Sequence, residues 1–144
     1  MYIIKEKFKD FNGTEREEEF YFNLTMSEVT QMELSEYGGM TEMLKTMVNK
    51  KDIPKMIRIF EELIDRSYGV KSADGRRFVK NEEVLTDFKQ TNAYSQIFMK
   101  FATDSEFTAK FIKNVLPGDM EEQLKAIDDK VKTLSANGGI TALV

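Results

Sequence analysis

Apolar and polar residues alternate along residues 2 to 9, which is the pattern of a strand with one buried face. One side of this strand would carry Tyr2, Ile4, Glu6 and Phe8, and the other Ile3, Lys5, Lys7 and Lys9. The alternation resumes over residues 15 to 24, where the apolar side would carry Phe20, Phe22 and Leu24. Because Asn12-Gly13 supplies the left-handed backbone positions of a tight turn, the sequence predicts an N-terminal β-hairpin over residues 1 to 24.

Apolar residues recur every three or four positions after residue 25, which predicts a body of short amphipathic helices over residues 25 to 117. Thr25 and Glu28 have the spacing of a capping box at the start of the first helix, residues 26 to 36. The clearest apolar stripe follows residue 53 and places Phe60 in the core. The polar residues that can cap the later helices are Asp52, Asn81, Thr91 or Asn92, and Thr103 or Asp104.

A second small hairpin is predicted near residues 70 to 79, because Asp74-Gly75 lies between two short runs of strand-like residues. Lys71, Arg76, Arg77 and Lys80 cluster around this turn, and Arg76 and Arg77 are the candidate exposed basic loop. A nucleic-acid site here is disfavoured by the chain's net charge of −4 and by the lack of interleaved aromatic residues. We interpret the loop as a solvated hairpin tip.

Pro117-Gly118 ends the helical body, since proline cannot continue the preceding helix. Residues 118 to 144 then form a predicted C-terminal amphipathic helix and tail, whose seam of apolar residues includes Leu124, Ile127 and Val131 at heptad spacing. This helix either docks on the body or binds a partner. The predicted fold class is mainly α with an N-terminal β-hairpin (α+β), a compact bundle of short amphipathic helices.

The chain has no cysteine and no histidine, so thiolate sites are excluded and the commonest general base and metal ligand are missing. Neither the P-loop nor the dinucleotide glycine pattern occurs, and no calcium loop can be read. We therefore expect no catalytic, metal or cofactor-binding residues. No apolar run approaches membrane-spanning length, so no membrane partner is expected, and the cysteine-free composition suits a cytosol.

Residues 94 to 113 are rich in aromatic side chains at helical spacing, which predicts two amphipathic helices that contribute mostly to the core. The motifs around them are DGRRF at residues 74 to 78, FKQTNAY at 88 to 94, FMKFATD at 98 to 104 and a segment from Phe111 to Pro117. This block resembles the tail assembly chaperones of long-tailed (siphovirus-type) bacteriophages of Gram-positive bacteria.

The resemblance implies a nonenzymatic assembly factor that acts in the host cell cytoplasm. Such chaperones bind and solubilise the tape measure protein, help to recruit the major tail (tube) protein, and are absent from the mature virion. The family is often made in two lengths by a programmed frameshift. The alternative is a small phage or bacterial protein-interaction module, such as a connector component or a regulator that binds a host protein, or a nucleic-acid binder acting through Arg76-Arg77.

Two apolar stripes are candidates for partner binding, because methionine-rich and amphipathic surfaces adapt to several partners. Their residues are Met40, Met43 and Met47 in the body, and Leu124, Ile127 and Val131 in the C-terminal seam. The same residues would serve equally well in an ordinary core. Self-association is a further possible contact, with the edge of the N-terminal hairpin as its candidate surface.

Overall fold

A computed structural model of the chain describes residues 1–33 and 53–118. The first part contains strand β1 (Tyr2–Lys9), strand β2 (Glu15–Phe22) and helix α1 (Met26–Glu33). The second part contains helix α2 (Ile53–Ser67), strands β3 (Tyr68–Lys71) and β4 (Phe78–Val79), and helices α3 (Glu82–Lys89), α4 (Asn92–Thr103) and α5 (Ser105–Val115). The α+β fold class is confirmed.

The four described strands form one antiparallel sheet in the order β1-β2-β3-β4. Strands β1 and β2 pair along their whole length, with Ile4 opposite Phe20, and Gly13 in their turn has a φ of 80°. The predicted second hairpin is also present, and Gly75 in its turn has a φ of 72°. Both predicted hairpins therefore exist, and β3 joins them by pairing with β2.

Side chains at the helix starts make the hydrogen bonds that the sequence predicts. The amide of Thr25 donates to Glu28 Oε1 at 3.0 Å, and the amide of Glu28 donates to Thr25 Oγ1 at 3.3 Å, which closes the capping box before α1. Asn81, Thr91 and Asp104 cap α3, α4 and α5. The single residue Asp104 separates α4 from α5, so the two helices turn sharply against each other.

The helices cover one face of the sheet, and the alternation along β1 and β2 decides which face. Ile4 and Phe8 of β1 and Phe20 and Phe22 of β2 are buried, whereas Ile3 on the opposite face is 49% exposed. The core that they enter is built largely from aromatic rings. Its aromatic members include Phe20, Phe22, Phe60, Tyr68, Phe88, Phe101 and Phe111.

A polar stripe on α4 attaches this helix to β1. Asn92 and Gln96 donate side-chain hydrogen bonds to the backbone carbonyls of Lys9 and Lys7, each at 2.8 Å. Gln96 and Lys100 also donate to the Glu6 carboxylate, at 2.8 and 2.5 Å. Because Glu6 is 3% exposed, these two donors are what allows a carboxylate to lie in the apolar face of the strand.

The bonds between α4 and β1 count against the prediction that the edge of the hairpin mediates self-association. Strand β1 lies at one edge of the sheet, where unpaired backbone groups would invite a further strand. Side chains of α4 already occupy the Lys7 and Lys9 carbonyls. Pairing with another chain along residues 7–9 of β1 would therefore have to displace α4.

The predicted division of the chain into a hairpin, a helical body and a C-terminal segment, with boundaries at residues 24 and 117, stays a prediction.

Replacing Phe60 by alanine should lower the free energy of unfolding by about 3 to 5 kcal/mol, because a buried aromatic ring leaves a cavity. Phe60 is 2% exposed, and its ring centroid lies 5.6 Å from that of Phe101. Urea denaturation monitored by circular dichroism measures the change. Ile3→Ala, on the solvent face of the sheet, is the control and should cost far less. Equal costs for the two variants would show that Phe60 does not support the core.

Candidate partner-binding surfaces

Both apolar stripes predicted to bind a partner lie outside the described residues. These are Met40, Met43 and Met47, within residues 34–52, and Leu124, Ile127 and Val131, within residues 119–144. Their role therefore stays a prediction. The described part adds two charged surfaces, both of which lie near turns of the sheet.

The first surface is the turn between β3 and β4, residues 72–77, which we call the basic turn. Arg76 and Arg77 are both exposed. Ser72 Oγ donates to Asp74 Oδ1 at 2.7 Å, and the amides of Arg76 and Arg77 donate to Asp74 Oδ1 and Ser72 Oγ at 3.0 Å. The bond from Ser72, followed by that from the Arg76 amide, lowers the pKa of Asp74. Short polar side chains thus fix the backbone and leave both guanidinium groups in solvent.

Lys80 is a neighbour of this turn in sequence, but it has a structural role elsewhere. Its ammonium group donates to the carbonyls of Asn23 and Arg66 at 2.6 and 2.7 Å, and to Glu28 Oε2 at 2.7 Å. It therefore joins the end of β2, the end of α2 and the first turn of α1. Including Lys80 in the basic cluster was wrong, because its charge is used inside the fold.

The second surface is a cleft of about 280 Å³ between the β1–β2 turn and the junction of α3 with α4. We call it the acidic cleft; the lining residues used below are Phe8, Asp10, Phe11, Arg16, Glu18 and Asp87. Phe11 is 81% exposed, although Phe8 beside it in the lining is buried. An aromatic ring is therefore available to solvent at the cleft.

Asp10 fixes the backbone that presents Phe11. Its Oδ1 accepts from the amides of Asn12 and Thr14 at 2.9 and 3.0 Å, and its Oδ2 accepts from Arg16 Nε at 2.8 Å. The bond from Arg16, followed by that from the Thr14 amide, lowers the pKa of Asp10. The turn is thus held by Asp10, and none of these bonds involves the Phe11 side chain.

The charges of the cleft are unevenly balanced. Arg16 is paired with Asp10 and, at 3.6 Å, with Glu18. Asp87 has no ion pair within the described part of the chain. A second depression along α3 shares Asp87 and adds Glu82 and Glu83 to the negative surface. The acidic charge therefore continues from the cleft along the exposed side of α3.

One tyrosine in the described part of the chain has a strongly shifted pKa. Burial, followed by the carboxylates of Asp65 and Glu61, raises the pKa of Tyr94 to about 12, so its hydroxyl stays protonated near neutral pH. Within residues 1–33 and 53–118, acidic side chains nowhere gather in threes as ligands for a metal ion. The helices in these ranges are also too short or too polar to cross a membrane.

Comparison with known proteins identifies the family. The sequence model of the family described as phage tail assembly chaperone matches residues 3–139, which is nearly the whole chain. The chain therefore belongs to the phage tail assembly chaperones, and its general role is in the assembly of phage tails. No curated protein and no solved structure matched it.

The sequence analysis did not predict the roles that three side chains, Glu6, Phe11 and Lys80, have in the structure. The polar residue Glu6 stands within the apolar side of β1, and this break in the pattern could have signalled a buried partner. Phe11 could have been flagged as an aromatic residue in a turn. Lys80 carried no local signal, because two of its partners lie 52 and 57 residues away in the chain.

Replacing Lys80 by methionine should destabilise the chain by about 2 kcal/mol near neutral pH, because three hydrogen bonds from a charged group are lost. Burial acts to raise the pKa of Glu28, but the bonds from Lys80 and Thr25 outweigh it and leave the pKa lowered. Stability from this carboxylate is therefore present above the ordinary glutamate pKa of about 4.3 and lost as the pH falls through the lowered folded value.

The measurement is thermal unfolding of wild type and of Lys80→Met, from neutral pH down to below the lowered folded pKa of Glu28. We expect the gap between their melting temperatures to narrow on acidification, leaving the part due to the two carbonyl bonds. Lys110→Met removes the same charge from an exposed position on α5 and should change little. Wild-type stability of Lys80→Met at every pH would refute the bridging role.

Proposed function

We propose that this chain binds the tape measure protein during tail morphogenesis, keeps it soluble, and helps to recruit the major tail (tube) protein. It acts in the host cell cytoplasm, without catalysis, and leaves before the virion is complete. The observation that carries this proposal is the family match over residues 3–139, since the general role in tail assembly comes with family membership.

The predicted apolar stripes support the choice of partner. A long helical partner presents many similar but nonidentical segments, and flexible thioether side chains can repack against each of them. Met40, Met43 and Met47 are the proposed contacts, with Leu124, Ile127 and Val131 as the second set. Weak binding by each copy, summed along a long partner, would give a coat that is firm and yet reversible.

The composition supports action without catalysis. The chain has no histidine and no cysteine. The proposed work is therefore the covering of apolar surface on another protein until the tube protein replaces it. Such a task needs binding that is adaptable rather than strong at any one position.

Coexpression of the tagged chain with the tape measure protein of the same phage tests the proposal. We expect the tape measure protein to be insoluble alone and to be recovered in a soluble complex when this chain is present. Pull-down followed by gel densitometry measures the soluble fraction. Equal insolubility with and without the chain, and no association, would contradict the proposal.

The same assay can locate the contact. Replacing Met40, Met43 and Met47 together by serine should reduce recovery of the complex several-fold if this stripe carries binding. Met99→Ser is the matched control, because Met99 is 53% exposed on α4 and lies outside both proposed stripes. Replacement of Leu124, Ile127 and Val131 by serine tests the second set in the same way. Unchanged recovery with both sets replaced would remove them as contacts.

A further inference from the structure

The basic turn and the acidic cleft lie near the same end of the sheet. The four strands run antiparallel to their neighbours in the order β1-β2-β3-β4, so the turn after β1 and the turn after β3 point toward the same end of the sheet. The second turn begins beside the middle of β2, because Tyr68 at the start of β3 pairs with Phe22 at the end of β2. The first of these turns carries Phe11 and borders the cleft, and the second carries Arg76 and Arg77. Two surfaces of opposite charge therefore stand near each other on one molecule.

The charges on these surfaces are not neutralised within the chain. Arg76 and Arg77 outnumber the one carboxylate of the basic turn, Asp74. Within residues 1–33 and 53–118, the structure records no ion pair of Arg76, Arg77, Glu83 or Asp87. Arg16, in contrast, is occupied by Asp10 and Glu18 and does not balance the remaining carboxylates. Each surface thus has charge available for a partner.

The cleft also has the volume and the lining residues to accept an arginine side chain. At about 30 Å³ for each liquid water, its volume of about 280 Å³ can hold several waters for an entering side chain to displace. A planar guanidinium group can pair with two oxygens of a carboxylate and can also stack on an aromatic face. Asp87 supplies the carboxylate and Phe11 the exposed ring.

We propose that this chain associates with a second copy of itself, with the basic turn of each copy seated in the acidic cleft of the other. Because both surfaces lie near one end of the sheet, a single twofold axis can satisfy both contacts at once. The contact leaves the β1 edge and its bonds to α4 intact. It goes beyond the proposed binding of the tape measure protein and does not depend on it.

A contact made largely by exposed charges should weaken as salt is added. Sedimentation velocity of the full chain over a range of concentrations, at about 0.05 M and about 1 M salt, measures this dependence. We expect reversible dimerisation at low salt, with the mass rising from 16.7 kDa toward twice that value, and dissociation at high salt. A wild-type chain that stays monomeric at low salt would overturn the proposal.

Charge reversal identifies the surfaces. Arg76→Glu with Arg77→Glu makes the turn acidic, and Glu83→Lys with Asp87→Lys removes the excess negative charge of the cleft and its margin. Each double variant alone should be monomeric, since its two surfaces then no longer carry opposite net charges. An equimolar mixture should regain the dimer, because the basic turn of the cleft variant meets the unchanged acidic cleft of the turn variant, and the introduced glutamates meet the introduced lysines. Recovery on mixing also shows that both variants are folded.

Matched controls separate local contact from overall charge. Lys110→Glu with Lys113→Glu changes the net charge as the turn variant does, and Glu106→Lys with Glu61→Lys changes it as the cleft variant does, at exposed positions elsewhere. The proposal expects both controls to dimerise nearly as wild type does. It is overturned if the controls abolish dimerisation equally, if the reversed variants dimerise alone, or if mixing restores nothing.

Discussion

The packing of Phe88 between the sheet and the helices is the interaction on which most of the described fold depends. Its ring stacks on Tyr68 with centroids 4.2 Å apart, and the rings of Phe20 and Tyr94 lie 5.1 and 5.3 Å away. One side chain of α3 thereby contacts β2, β3 and α4. A short helix and a hairpin, neither of which is stable alone, complete each other through this contact.

The strands and helices could be predicted because local residue patterns determine them. The contacts between residues far apart in the chain could not be predicted. Alternation along residues 2 to 9 and 15 to 24 predicted the buried face of the hairpin, and Phe20, Phe22 and Leu24 are buried as expected, whereas residues 15–19 are all exposed. Capping residues such as Asn81 located helix starts, because their hydrogen bonds reach only three residues along the chain. The bonds of α4 to β1 join residues more than 80 apart, and no local pattern encodes them.

The same contrast between local patterns and long-range contacts applies to the candidate surfaces. An exposed turn was predicted from Asp74-Gly75 and the adjoining arginines, because a few consecutive residues determine turn formation and solvation. The acidic cleft needs the β1–β2 turn to lie beside the α3–α4 junction, about 80 residues later in the chain, and it emerges only from the fold. Lys80 shows the converse, because charge alone suggested a surface and the fold uses that charge internally.

Family membership places the work of this protein in the assembly of phage tails. Removing its reading frame from the phage and viewing the resulting lysates by electron microscopy tests this account most directly. The account predicts filled heads without tails, and restoration of tails when the wild-type chain is supplied from a plasmid. Normal tails in the absence of the chain would contradict it.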